Sequence, residues 1–166
     1  MGQAVDQEVA IRRARDDDVA LLLELNREVQ ALHAAAAPWL FKPVVTDRGP
    51  FAAMVADPEA HTYIAEVGGD PAGYCYVKVL RRTETPFTYA STVVYIDQIA
   101  VLRAHRRHGV GAALIGRAKA LAAELDADRV ALDVWSFNTT AQRFFTGQGF
   151  AVFNERMSLD LRVTSD

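Results

Sequence analysis

One cysteine, Cys75, is all the thiol this sequence contains, so no internal disulfide can form. Excess charge is missing too. Eighteen Lys and Arg stand against 21 Asp and Glu, a formal net charge of −3, which does not suit a chain that grips DNA or RNA. No apolar run is long enough to span a bilayer; the most apolar, Ala31 to Phe41, is interrupted by His33 and Pro38. The first six residues have neither a positive start nor an apolar core, so no secretory signal is visible. Asp6 stands where N-myristoylation needs Ser or Thr. There is no Gly-x-Ser-x-Gly, which leaves a hydrolase elbow unsupported. There is no internal repeat and no low-complexity linker. These absences fit a cytoplasmic globular protein with no membrane or nucleic-acid partner.

What remains is an ordinary core-forming composition, 51% apolar and 23% charged over 166 residues. That length suits one domain, residues 1–166, without staples. Glu8 to Ala14 reads as a strand. Asp16 or Asp17 opens a helix to about Leu32, with Leu22, Leu25, Val29 and Leu32 along one face. Gly49 to Ala56 reads as a short helix. His61 to Val67 and Ala72 to Arg81 flank Gly68-Gly69-Asp70 as a hairpin. Thr83 to Thr92 is a loop, Val93 to Val101 a strand, Val110 to Leu125 a helix, Arg129 to Trp135 a strand and Thr139 to Thr146 a helix. Phe150 to Phe153 and Arg156 to Leu161 complete the pattern as strands. This order predicts an α/β (α+β) fold: a mixed, mostly antiparallel central sheet of about seven strands flanked by about four helices.

The most informative stretch is Arg106-Arg107-His108-Gly109-Val110-Gly111-Ala112. It follows the apolar strand and opens a long amphipathic helix. Two glycines one residue apart let main-chain N–H groups crowd a ligand. The first helical turn adds unpaired donors and the positive end of the dipole, beside a cluster of basic side chains. Residues of this kind make a pyrophosphate site. A P-loop needs Lys and then Ser or Thr after its last glycine, but Ala112 and Ala113 follow Gly111. A Rossmann turn follows its strand directly and needs a small third residue where this chain has Leu114.

The pattern Arg-x-x-Gly-x-Gly resembles the acyl-CoA loop of the GNAT superfamily of N-acetyltransferases. The resemblance continues in Asn138-x-x-Ala141-x-x-Phe144-Phe145-x-x-x-Gly149-Phe150, in Leu132-Asp133-Val134-Trp135, and in Ile11-Arg12-Arg13-Ala14 with Asp17 and Asp18. It implies a sheet whose central strands, 93–101 and 129–135, splay apart. It implies acetyl-CoA as the acyl donor, held by the backbone of Ile99, Ala100 and Val101, by Arg106, Arg107, His108, Gly109, Val110, Gly111 and Ala112, and by Ala141 and Phe144, with Asn138 either bonding the cofactor arm or capping the last cofactor-facing helix. The acceptor is a small-molecule or peptide primary amine that attacks directly, with oxygen charge stabilised by a backbone N–H near Ile99. The alternative is a non-catalytic acyl-CoA-binding regulator. The last strands are compatible with a homodimer.

An amine of pKa near 10.4 is mostly protonated at pH 7, so a base must take its proton. Strand alternation puts Tyr95, Asp97, Ile99 and Val101 on one face. Asp97 is the candidate base, directly or through water; an ion pair with a neighbouring Arg is the competing role. The superfamily often carries a Tyr where this chain has Phe145, which cannot protonate the departing thiolate. Water, Tyr95, Tyr74 or Tyr76 can supply that proton instead. Glu24 and Glu28 either line the acceptor end or form an exposed face. His33, Pro38, Trp39, Phe41 and Lys42 either wall the acceptor pocket or are structural. Trp135 covers the pantetheine or fills core. His105 and His108 lie among arginines that repel a metal, so no metal is expected.

Overall fold

The computed structural model describes residues 8–161. The residues on which the absence of a leader was read, 1–6, lie outside that range, as do 162–166. Packing gathers the chain into two compact units, one ending at Asp133 and one beginning at Val134.

The first unit is a five-stranded sheet in the order β1-β2-β3-β4-β5. The strands are β1 (Val9–Arg13), β2 (Ala60–Val67), β3 (Asp70–Arg82), β4 (Ser91–Val101) and β5 (Arg129–Leu132). All neighbours are antiparallel except β4 and β5, which are parallel. Gly68 and Gly69 both have positive φ, 61° and 90°, as a two-residue hairpin between twisted strands requires.

Helices α1 (Val19–Ala36) and α2 (Gly49–Ala56) cover one face of the sheet. Leu22, Leu25, Phe51 and Met54 bury against Ile64, Tyr74 and Tyr76 there. Helix α3 (Val110–Glu124) buries Val110, Leu114, Ile115, Ala118 and Leu121 and packs on β1 to β4. It takes the opposite face, where Tyr63 pairs with Cys75 and its ring lies 5.0 Å from the Arg117 guanidinium of α3.

In the second unit, α4 (Thr139–Gly147) is the fourth α-helix. Phe145 is buried at its end, 5.2 Å from the Phe144 ring and edge-on to Phe150 at 5.8 Å. Gly149 at φ 92° reverses the chain, and the Phe150 N–H returns to the Phe145 carbonyl.

The expectation of about seven strands is corrected to five among the described residues. Residues 151–160 form no regular element, and Met157, Leu159 and Leu161 are exposed. Their alternating pattern suits a strand, but a strand also needs a neighbouring edge to pair with, which no local pattern supplies. The strand expected over Arg129–Trp135 stops at Leu132. Among the described residues, no helix is long and apolar enough to cross a membrane.

Candidate functional site

β5 accompanies β4 only as far as the pair Ile96 and Leu132. Beyond Ile96, β4 continues to Val101 with β3 on one side. The parting coincides with a β-bulge. Tyr76 pairs with Gln98 and Val77 with Ile96, so Asp97 is the extra residue.

The bulge overturns the expected alternation. Tyr95 pairs with Lys78 and Gln98 with Tyr76, on the α1 and α2 face of the sheet. Ile99 pairs with Cys75 and Val101 with Gly73, on the α3 face. One inserted residue exchanges the faces on either side of it, so Tyr95 and Ile99 are not aligned.

The open edge of β4 is defined by its neighbours. The Leu102 N–H bonds the Ala72 carbonyl at 2.9 Å. The Ala100 oxygen stands 2.5 Å from where a β-carbon on Gly73 would be. Ala100 and Leu102 thus direct their main-chain groups at β3, and by alternation Ile99 and Val101 direct theirs to the side β5 has left. The Val101 carbonyl already accepts from Arg106 Nε at 3.0 Å. The Ile99 N–H and carbonyl and the Val101 N–H are the groups that edge offers.

The loop from Arg103 to Gly109 leads to α3. Arg107 and Gly109 are both left-handed, φ 65° and 79°, and Gly109 is the residue before the helix. Val110 is buried and anchors the first turn, while Arg106, Arg107, His108 and Gly109 are exposed. The amides of Val110, Gly111 and Ala112 belong to that first turn, where a helix has no partner for them, and they meet no acceptor among the described residues. Helix dipole, free amides and arginines together make a site for a multiply charged anion.

Glu28 of α1 reaches this loop. Its carboxylate accepts from the Arg103 N–H at 2.8 Å and lies 3.4 Å from Arg106 Nη2. Glu28 lies on an exposed helix face, one of the two readings of the sequence, and from there it pins the start of the loop.

Asp97 is ion-paired, 2.7 Å from Lys78 Nζ with 28% of its side chain accessible. The partner is a lysine across the strand pair, where the sequence suggested an arginine. Asp97 raises the Lys78 ammonium above its ordinary range, mainly through this hydrogen bond. Tyr95 is half-buried one pair further along. Tyr74 is fully buried and its hydroxyl is pushed up by desolvation. That hydroxyl accepts from Asn26 Nδ2 at 2.8 Å and donates to Gln98 Oε1 at 2.7 Å, so it is not free to protonate a leaving group. Burial pushes the Cys75 thiol up to about 12, which makes it inert. The His33 ring lies 5.0 Å from Phe41, and Gln30 donates to the Lys42 carbonyl, folding the segment after α1 back onto that helix. Burial lowers the His33 pKa.

In the second unit, Asn138 caps α4, accepting from the Ala141 N–H at 3.1 Å. The Ala141 amide is therefore spoken for, and Phe144 packs on Phe145. Trp135 stacks on Phe137 at 5.9 Å, and its carbonyl accepts from the Asn138 N–H and the Gln142 side chain.

The structure thus gathers Tyr95, Asp97, Ile99, Ala100 and Val101 on β4 in the first unit, which also holds the Arg106–Ala112 loop. Asn138, Ala141 and Phe144 come together on and beside α4 in the second. Sequence reasoning missed Gly73, Lys78, Asn26 and Gln98. An isolated glycine inside a strand is a readable sign of close backbone approach; the other three carry no local signal.

The family described as acetyltransferase (GNAT) matches residues 12–150. An N-alpha-acetyltransferase of Sulfurisphaera tokodaii is 30% identical over 151 residues, covering 87% of this chain and 81% of that protein. Among solved structures, a tetramutant of the BH1408 protein from Bacillus halodurans superposes with a TM-score of 0.87 at 22% identity, covering 92% of this chain and 99% of that one. Aminoglycoside N-acetyltransferase AAC(6')-Iy in complex with CoA superposes with a TM-score of 0.71 at 18% identity, covering 95% and 97%.

Proposed function

This chain belongs to the GNAT family of acetyltransferases, acyl-CoA-dependent enzymes, and on that premise we propose that it transfers an acetyl group from acetyl-CoA to a primary amine by direct attack. The reading takes the whole chain as one acetyltransferase domain working in the cytoplasm. The curated relative acts as an N-alpha-acetyltransferase, which favours a peptide α-amine as acceptor over a small aminated sugar.

One observation carries the reading: the open edge of β4 at Ile99 and Val101 lies on the strand that feeds the free amides of α3. The pantetheine arm of coenzyme A bears amides that can pair with such an edge as a strand does. Its diphosphate suits amides at a helix start. The residues present therefore fit the cosubstrate, which supplies an acetyl group activated as a thioester.

The chain's own residues do the rest. Ile99 and Val101 orient the arm; Ala100, expected beside them, turns its main-chain groups to β3 and lies between the two without reaching the open edge. Arg106, Arg107, His108, Gly109, Val110, Gly111 and Ala112 hold the diphosphate. Ala141 and Phe144 stand as cofactor residues on the resemblance of their segment alone, with Asn138 serving as helix cap. The Ile99 N–H is the donor for oxygen charge that develops during transfer. Asp97 is the base, which must release Lys78 to take the proton, and Tyr95 is the second proton-handling group. With Tyr74 committed to Gln98 and Phe145 without a proton, the thiolate is met by Tyr95, Tyr76 or water.

The test is in two steps. Acetyl-CoA at about 100 times its dissociation constant is expected to stabilise the protein by about 2.7 kcal/mol in a thermal shift. Thiol release across a panel of peptides, aminoglycosides and simple amines is then expected to depend on the amine. Stabilisation without amine-dependent thiol release marks binding without catalysis and overturns the transferase reading.

A further inference from the structure

A hydrogen-bonded line crosses the α1 face of the sheet next to the open edge. Asn26 of α1 donates to the Tyr74 hydroxyl, and that hydroxyl donates to Gln98 Oε1. A phenol has one proton to give. Because it is given to Gln98, the carboxamide is locked with its oxygen toward Tyr74 and its Nε2 facing the other way. Neither Nε2 proton meets an acceptor among the described residues, and Gln98 is neither fully buried nor fully exposed.

No buried side-chain nitrogen or oxygen among the described residues lacks a partner, so these two protons reach solvent on a carboxamide whose direction is fixed, and a ligand beside β4 can accept from them. Their place is specific. Gln98 lies between the bulge residue Asp97 and Ile99, whose main-chain groups face the open edge. Tyr74 is fully buried, so the anchor does not move with the ligand.

We propose that Gln98 is a specificity-determining residue that donates from Nε2 to an oxygen close to the reacting amine, and that Tyr74 is the positioning residue that aims it. The acceptor class this selects is an amine with a carbonyl one carbon away, as in an α-amino amide or a peptide N-terminus. This inference rests on the transferase reading above. A bare alkylamine has nothing to offer Gln98. A site built to hydrogen-bond a substrate group discriminates against an analogue lacking it, because its own donors are left unpaired.

The experiment compares acetyl transfer to a short peptide with a free α-amine and to an alkylamine of similar size. Wild type, Gln98→Met and Tyr74→Phe are assayed, with acetyl-CoA binding measured by calorimetry on each. Gln98→Met keeps the side-chain length and removes the donors. Tyr74→Phe keeps the donors and frees their direction. The expected result is that Gln98→Met lowers the preference for peptide over alkylamine, as a ratio of kcat/KM, by roughly tenfold, mostly through the peptide KM. Tyr74→Phe is expected to lower it in the same direction. An equal effect on both amines, or none, overturns the inference and leaves the transferase reading standing. Wild-type protein that binds acetyl-CoA and transfers to neither amine overturns both.

Discussion

Gly73 and Ala100 meet so closely that a β-carbon on the glycine would stand 2.5 Å from the alanine carbonyl oxygen. This contact holds β3 against β4 opposite Val101, where β5 has already left. One flank of the open edge is thus set by the absence of a side chain on the neighbouring strand.

Gly73→Ala is expected to push β4 outward, because the clash is with backbone and not with a yielding side chain. The cost is about 1–3 kcal/mol, that of overpacking. Urea denaturation reads the loss of stability. Acetyl-CoA affinity is expected to fall as well, since the Ile99 and Val101 groups shift with the strand.

Arg106 bonds the Val101 carbonyl and approaches Glu28, yet is exposed. Arg106→Ala is expected to weaken acetyl-CoA binding by about tenfold at low salt, with the gap to wild type narrowing as ionic strength approaches about 1 M, where charges are screened within about 3 Å. Calorimetric titration across salt concentrations measures this. An affinity unchanged at low salt removes Arg106 from the diphosphate site.

Arg12 grips Asp18 through its two terminal guanidinium nitrogens, at 2.7 and 2.9 Å, and Glu66 through Nε at 2.7 Å. The hydrogen bond from Arg12 is the main reason that Asp18 sits below its ordinary value of 3.8. A carboxylate lowered on folding adds stability above its unfolded pKa and loses it as pH falls through the folded one. Asp18→Asn is expected to cost about 1 kcal/mol at pH 7, an amount discounted for partial exposure. That cost is expected to shrink below pH 3.8. Denaturation of both proteins over a pH series gives the difference directly.

Asn138 accepts from the Ala141 amide at the start of α4. Asn138→Ala is expected to lower stability by about 1 kcal/mol through loss of the cap. Hydrogen exchange at the first turn of α4 is expected to accelerate, while the amides of β2 and β3 keep their protection.

The glycine loop and its helix were legible because their determinants are local. Gly109 must take φ 79°, and a strand feeding a glycine pair and then an apolar-faced helix is written in consecutive residues. The hairpin at Gly68 and Gly69 was legible for the same reason. The bulge at Asp97 was not, since an apolar run with one acidic residue has the same pattern whether or not a residue is inserted. Only the register against Tyr76 and Val77 reveals it. Lys78 and Asp97 are 19 residues apart, and Tyr74 and Asn26 are 48 apart. No periodicity joins them.

From the order of residues alone came the four helices and the five sheet strands of the described residues, with two further strands after the turn at Gly149 excepted because they find no edge to pair with, together with the glycine turns, the cap reading of Asn138 and the family resemblance. All follow from short-range sterics and the spacing of apolar side chains. The direction in which Ile99 and Val101 present their amides, the partner of Asp97 and the aim of Gln98 came only with the tertiary structure. Those depend on which strand lies alongside and in what register, and register is a pairing between distant stretches of chain.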